Sequence, residues 1–275
     1  MYLDLDNAWF DPPPGMPRLH ARDWGPPLRF SAPPRLIEKF FHEYDSRLKP
    51  FNLYGSGDFH HLSALWIRRV AESVDVVSFD NHPDWDIRPP KWCCGGWINR
   101  ALELPNVRHV SVWGCGNFEY WWPRNLFGNR RAVREGRLDI HPWADGRSAR
   151  DRERDDAILR ENWRERFEML VNERREQNVY VTIDLDCLRA EDAVTNWESG
   201  RFSVVDLEWA LAKLRTSCRI VAGDICGAYS PPQYARFKQR FAAEFDHPNL
   251  RLPAEDQIRK INSTVIAKLW PALAQ

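Results

Sequence analysis

Five short apolar runs rich in β-branched residues recur along the chain: Phe51 to Tyr54, Val74 to Phe79, Val107 to Trp113, Val179 to Leu185 and Arg219 to Ile225. Each is nearly continuous rather than alternating, the pattern of strands buried on both faces of a parallel sheet. Between them the apolar period lengthens. From Asp155 to Glu176, Leu159, Trp163, Phe167 and Leu170 fall on one helical face, with Arg and Glu filling the other. Ser203 followed by Asp206 predicts the N-cap of a helix through Leu214, and Ile258, Ile261, Val265 and Leu269 mark a last helix. Strands alternating with helices predict a three-layer α/β domain, a doubly wound parallel sheet with helices on both faces. The first fifty residues are rich in proline and aromatics, including Pro12, Pro13, Pro14, Trp24, Pro26 and Pro27. They predict an arm of extended segments packed on a single domain of residues 1–275.

Composition narrows the partners. A chain of 275 residues with 43% hydrophobic residues can bury one sizeable core. Its formal net charge is zero, so no bulk field recruits nucleic acid or an anionic membrane surface. The longest apolar runs, such as Val74 to Val77, fall far short of the roughly 20 residues that span a bilayer, and Met1 to Asp4 lack a basic leader. The expectation is a cytoplasmic protein with no nucleic-acid or membrane partner; a homo-oligomer is admitted but not specified. Six cysteines without a CxxC pair read as small buried hydrophobes, the pair Cys93-Cys94 included.

Candidate chemistry lies at the ends of the apolar runs. Asp80-Asn81-His82-Pro83-Asp84 follows VDVVSF, and Asp184-Leu185-Asp186 closes VYVTIDLD. Alternate residues of an extended segment point the same way, so each segment presents its acids toward one point. In open α/β sheets that point lies beyond the carboxyl ends of the strands. A third segment, Gly55-Ser56-Gly57-Asp58-Phe59-His60-His61, can deliver an imidazole to the same end. If Asp80, Asp84, Asp184 and Asp186 converge, their mutual repulsion requires cations. Carboxylates with two imidazoles form a hard donor set that suits Mn2+. Two such ions bridged by shared carboxylates would bring the pKa of a bridging water toward about 7. The plain alternatives are an Asx-rich turn at Asp80 to Asp84 and a helix cap at Asp184.

Taken together, DNHPD resembles the Asp-x-His-x-Asp motif of the arginase and agmatinase (ureohydrolase) family, TIDLD its Ser-x-Asp-x-Asp, and GSGDFHH its Gly-Gly-Asp-His. The three stand in the family's order between about Gly55 and Gly227. The resemblance implies two Mn2+ ions per chain. The first would be held by His60 or His61 with Asp80, Asp84 and Asp184, the second by Asp80, His82, Asp184 and Asp186. This chain inserts Phe59 and doubles the histidine, which leaves His60 and His61 as equal candidates. Two departures bear on substrate. Where the family's Asp-x-x-Glu carries a guanidinium-binding glutamate, Asp224-Ile225-Cys226-Gly227 carries glycine, and the loop Lys91 to Trp97 has no shuttle histidine. The pattern resembles a divergent branch that includes peptide arginases, which implies hydrolysis of peptidyl-arginine to peptidyl-ornithine and urea. The substrate is then an arginine-containing peptide or a small guanidino compound, with Asp84 carrying the proton and Glu198, in the loop Thr195 to Gly200, accepting the guanidinium. Among the tryptophans, Trp92, Trp97, Trp113, Trp121, Trp122 and Trp197 are candidates for the cleft wall. Two other functions are weighed: an amide deacylase of the histone-deacetylase-like kind, and a metal-binding interaction protein without catalysis.

Overall fold

A computed structural model describes residues 1–274. The five apolar runs form strands β3 (Phe51–Tyr54), β4 (Val74–Phe79), β5 (Val107–Trp113), β7 (Asn178–Asp184) and β8 (Arg219–Cys226). Three more complete the sheet: β1 (Tyr2–Asp4), β2 (Arg18–His20) and β6 (Leu138–His141). All eight run parallel in the order β2-β1-β3-β8-β7-β4-β5-β6. Every residue of β4 is buried because both faces are covered. Val74 and Val76 pack into a core with Phe40, Leu65, Trp66 and Ile98. Val77 and Phe79 point the other way, into a core with Phe167, Leu207, Leu211 and Leu269. The alternation of one strand thus builds the two interfaces of a three-layer α/β fold.

Two elements differ from the expectation. The amino-terminal fifty residues hold more regular structure than their prolines imply: β1 extends the sheet beside β3, and an 11-residue helix spans Pro34–Tyr44. Tyr2 and Leu3 are fully buried, and Asp4 is neutralised by Arg18 and Arg22 at 2.6 and 2.7 Å, so this edge belongs to the core. The helix expected over 155–176 is shorter, Trp163–Glu173. Ile158 is instead drawn into a bridge with Trp143, and Asp156 adopts a left-handed φ of 50°. The helix Val204–Ser217 starts as expected, with a reciprocal Ser203–Asp206 capping box. The last helix spans Glu255–Ala274, with Ile258, Val265 and Leu269 buried.

The order β3-β8-β7-β4 brings the candidate residues to one side of the sheet. These four adjacent strands all point their carboxyl ends the same way, where Gly57–Leu62, Cys226-Gly227, Asp184–Asp186 and Asp80–Asp84 emerge.

Candidate metal centre

Asp80 ends β4 and sits between two imidazoles. His60, on the 310 turn Gly57–Leu62, places Nδ1 3.1 Å from Asp80 Oδ2, 3.2 Å from Asp84 Oδ2 and 3.6 Å from Asp184 Oδ2. His82 places Nδ1 2.8 Å from Asp186 Oδ2 and 3.6 Å from Asp80 Oδ1. The donors gather into overlapping groups: His60 with Asp80 and Asp84, His60 with Asp184 and Cys226, and Asp80 with His82 and Asp186. The acids are held by backbone as well. The amide of Asn81 donates to Asp186 at 3.0 Å, that of His82 to Asp80 at 2.7 Å and that of Asp186 to Asp184 at 3.1 Å. Asp184 therefore also caps the turn Leu185–Cys187, the plainer of its two expected roles.

Six of the seven expected metal residues converge here: His60, Asp80, His82, Asp84, Asp184 and Asp186 are all buried at the carboxyl ends of the strands. His61 is equally buried but belongs to none of the groups, and neither of its ring nitrogens has a hydrogen-bond partner among the described residues. Burial pushes its imidazole down to about 3, which keeps the ring neutral at ordinary pH.

The electrostatics call for cations. Burial raises the carboxyls of Asp84, Asp184 and Asp186, and neighbouring aspartates add to each rise. Burial opposes ionisation of Asp80 too, but the imidazoles of His60 and His82 beside it hold its carboxyl below the usual range. Without a metal, protons must take up the charge that divalent ions would neutralise. His60 Nδ1, His82 Nε2 and Asp80 Oδ2 are buried without a hydrogen-bond partner, as donor atoms reserved for a ligand would be. Oxygen donors with two imidazoles fit a hard divalent ion such as Mn2+.

Asp84 sits in a left-handed φ of 42° and accepts a 2.7 Å hydrogen bond from Trp97 Nε1. Gly227 has φ +103°, and a Cβ there would overlap Asp184 Oδ1 and the amide of Leu185. No side chain fits at that position on this backbone, so a glutamate is excluded by the packing of Asp184. The loop Lys91 to Trp97 closes over the site through Cys94 and Gly95. Burial pushes the thiol of Cys93 up to about 12 and raises that of Cys94 well above its ordinary range, which disfavours a reactive thiolate.

The remaining space is a cavity of about 20 Å³, roughly the room of one water. Gly57, Cys94, Gly95, Glu119, Trp197 and Asp246 close it over the four aspartates and His82. None of its lining comes from the first fifty residues. Glu198 stands at the rim, with Oε2 3.5 Å from His82 Nε2 and 3.4 Å from the amide nitrogen of Asn117. Of the candidate tryptophans, Trp197 lines the cavity, Trp97 reaches it through Asp84, Trp113 is core, and Trp121 and Trp122 are exposed. Glu119 and Asp246 belong to no sequence motif; they sit on a loop and a helix end remote from the acidic segments.

No family model matches the chain. An uncharacterized protein of Thermotoga maritima is 28% identical over 215 residues, covering 77% of this chain and 71% of its own length. Among solved structures, an arginase from Medicago truncatula superposes with a TM-score of 0.51 at 21% identity, over 87% of this chain and 64% of its own. A putative agmatinase from Clostridium difficile gives 0.52 at 18% identity, over 87% and 73%. The chain has the arginase-like α/β fold. It spans just under two thirds of the length of the plant arginase it matches.

Proposed function

We propose that this chain is a binuclear metal-dependent amidinohydrolase that cleaves a carbon-nitrogen bond of a guanidino group. The substrate is an arginine side chain within a peptide, and the products are peptidyl-ornithine and urea. The observation that carries this reading is Asp80, one carboxylate set between two imidazole-aspartate groups. His60, Asp80, Asp84 and Asp184 would hold one Mn2+, and Asp80, His82, Asp184 and Asp186 the other. Two such ions, when bound, polarise the group under attack and make water nucleophilic near neutral pH.

The chain's own residues supply the rest. Asp84 lines the cavity and is held by Trp97, so it can take a proton from the attacking water and return it to the leaving amine. Glu198 faces the guanidinium from the rim, steadied by Asn117. Peptide rather than free arginine is favoured by the outer wall of the site. Phe118, Trp121 and Trp122 are exposed beside Glu119, and Phe241 and Phe245 are exposed on the helix Phe237–Asp246 that ends at the cavity. Apolar side chains left in water beside a charged pit suit a substrate with chain on either side of its cation. A cytoplasmic setting agrees with six unpaired cysteines.

Mass spectrometry of an arginine-containing peptide incubated with the Mn2+-loaded protein tests the reading. Conversion of arginine to ornithine is expected; an unchanged peptide contradicts the reading, and loss of an acyl group from an acetyl-lysine peptide favours the deacylase.

A further inference from the structure

The charges around the cavity do not balance once the metals are counted. Asp80, Asp84, Asp184 and Asp186 carry four negative charges, which two divalent ions would neutralise. Glu119 and Asp246 line the same cavity and lie outside that count. Neither has an ion-pair partner among the described residues; the charges Asp246 feels are those of His82 first, then His247 and Arg124, whose guanidinium sits 5.2 Å over the ring of Phe118. The amide of Glu119 donates to Asn117 Oδ1 at 2.8 Å, which fixes the turn Phe118–Tyr120, while the Glu119 carboxylate accepts no hydrogen bond from the described residues. Asp80 and His82 line the cavity as well, and both are buried with one polar atom unpartnered.

We infer that Glu119, with Asp246 beside it, reads the substrate's positive charge alongside Glu198, so that the two together fill the role that Gly227 leaves without a side chain. This rests on the guanidino reading and gives it a specificity residue. Burial pushes the Glu119 carboxyl up to about 7 against the pull of His82, and Asp246 adds to the rise. A planar cation held by Glu119 at the open side of the cavity would pair with its carboxylate bidentately. A neutral amide would offer these carboxylates no charge to pair with. The site therefore selects for charge, which separates an amidinohydrolase from a deacylase built on similar metal ligands.

The test is calorimetric titration of the Mn2+-loaded protein with N-acetylarginine amide and with its neutral isostere N-acetylcitrulline amide, on wild type, Glu119→Gln and Glu119→Asp, with metal content measured on each. Wild type should prefer the arginine probe by about tenfold or more, as a charge-assisted bidentate pair provides. Glu119→Gln should lose that preference while keeping its metals, and Glu119→Asp should keep part of it. Equal affinity for the two probes in wild type, or an undiminished preference in metal-loaded Glu119→Gln, overturns the inference. If Glu119→Gln does not hold metal, Glu119→Asp decides: a preference equal to wild type overturns the inference and a reduced one supports it. Urea release is read separately. A Glu119-dependent preference without urea would sink the proposed hydrolysis and leave the charge reading standing; urea with a preference indifferent to Glu119 would do the reverse.

Discussion

His60 Nε2 lies 2.9 Å from the hydroxyl of Thr182, and that hydroxyl donates to Asp224 Oδ1 at 2.7 Å. The single hydroxyl proton is committed to Asp224, so Thr182 must accept from Nε2–H. When the imidazole is neutral, the lone pair is then on Nδ1, which faces Asp80, Asp84 and Asp184. Asp224 is anchored in turn by Tyr54, Ser63 and Tyr180, all fully buried. Such outer partners fix the orientation and tautomer of a ligand. Thr182→Val is expected to weaken Mn2+ binding by roughly 10- to 100-fold while the fold is kept; metal titration followed by calorimetry checks it, and an unchanged affinity would remove Thr182 from the site's support.

Asp80 belongs both to the group with His60 and Asp84 and to the group with His82 and Asp186. Asp80→Asn should therefore empty both positions, whereas His82→Ala should spare the ion held through His60. Elemental analysis after dialysis separates these outcomes, and equal losses in the two variants would show that the groups do not share a carboxylate.

The two adjacent histidines should behave oppositely. His60→Ala is expected to lose metal. His61→Ala is expected to retain it, because the His61 ring belongs to none of the donor groups. Metal loss in His61→Ala alone would reassign the ligand.

A separate pair behind the site controls acid stability. Asp58 is fully buried, 2.6 Å from Arg29 Nε and 2.7 Å from His247 Nε2. Burial raises its carboxyl, but Arg29 and His247 outweigh that and hold it down to about 2. The folded pKa lies below the unfolded one, so the native state binds fewer protons. The stabilisation is present above about pH 4 and is lost as pH falls toward 2, amounting to roughly 2 kcal/mol. Chemical unfolding of wild type and Asp58→Asn at several pH values should show the wild-type advantage shrinking across that window. An advantage that grows with acidity would mean that the folded-state pKa is raised, not lowered.

Much of the architecture was legible because buried parallel strands announce themselves. Phe51–Tyr54, Val74–Phe79 and Val107–Trp113 coincide with their apolar runs, since both faces of each must be covered. The edge strand β2 and its neighbour β1 were hidden by their brevity, and β2 also by Arg18 and His20, which face solvent. The acidic segments were legible for the same local reason: spacing along a strand end sets where Asp80, Asp84, Asp184 and Asp186 point. His60 could not be told from His61, because the choice depends on the 310 geometry of Gly57–Leu62. Glu119 and Asp246 carry no spacing signal at all. They are brought to the cavity by a loop and a helix end, where tertiary packing decides position.

The central claim is tested most directly by urea release from the Mn2+-loaded protein offered an arginine-containing peptide, agmatine and free arginine side by side, with metal content determined on the same sample. Two bound ions are predicted, with urea from the peptide in excess of either small molecule. Two bound ions with no urea from any of the three would contradict the claim and point to a metal-binding protein without this chemistry.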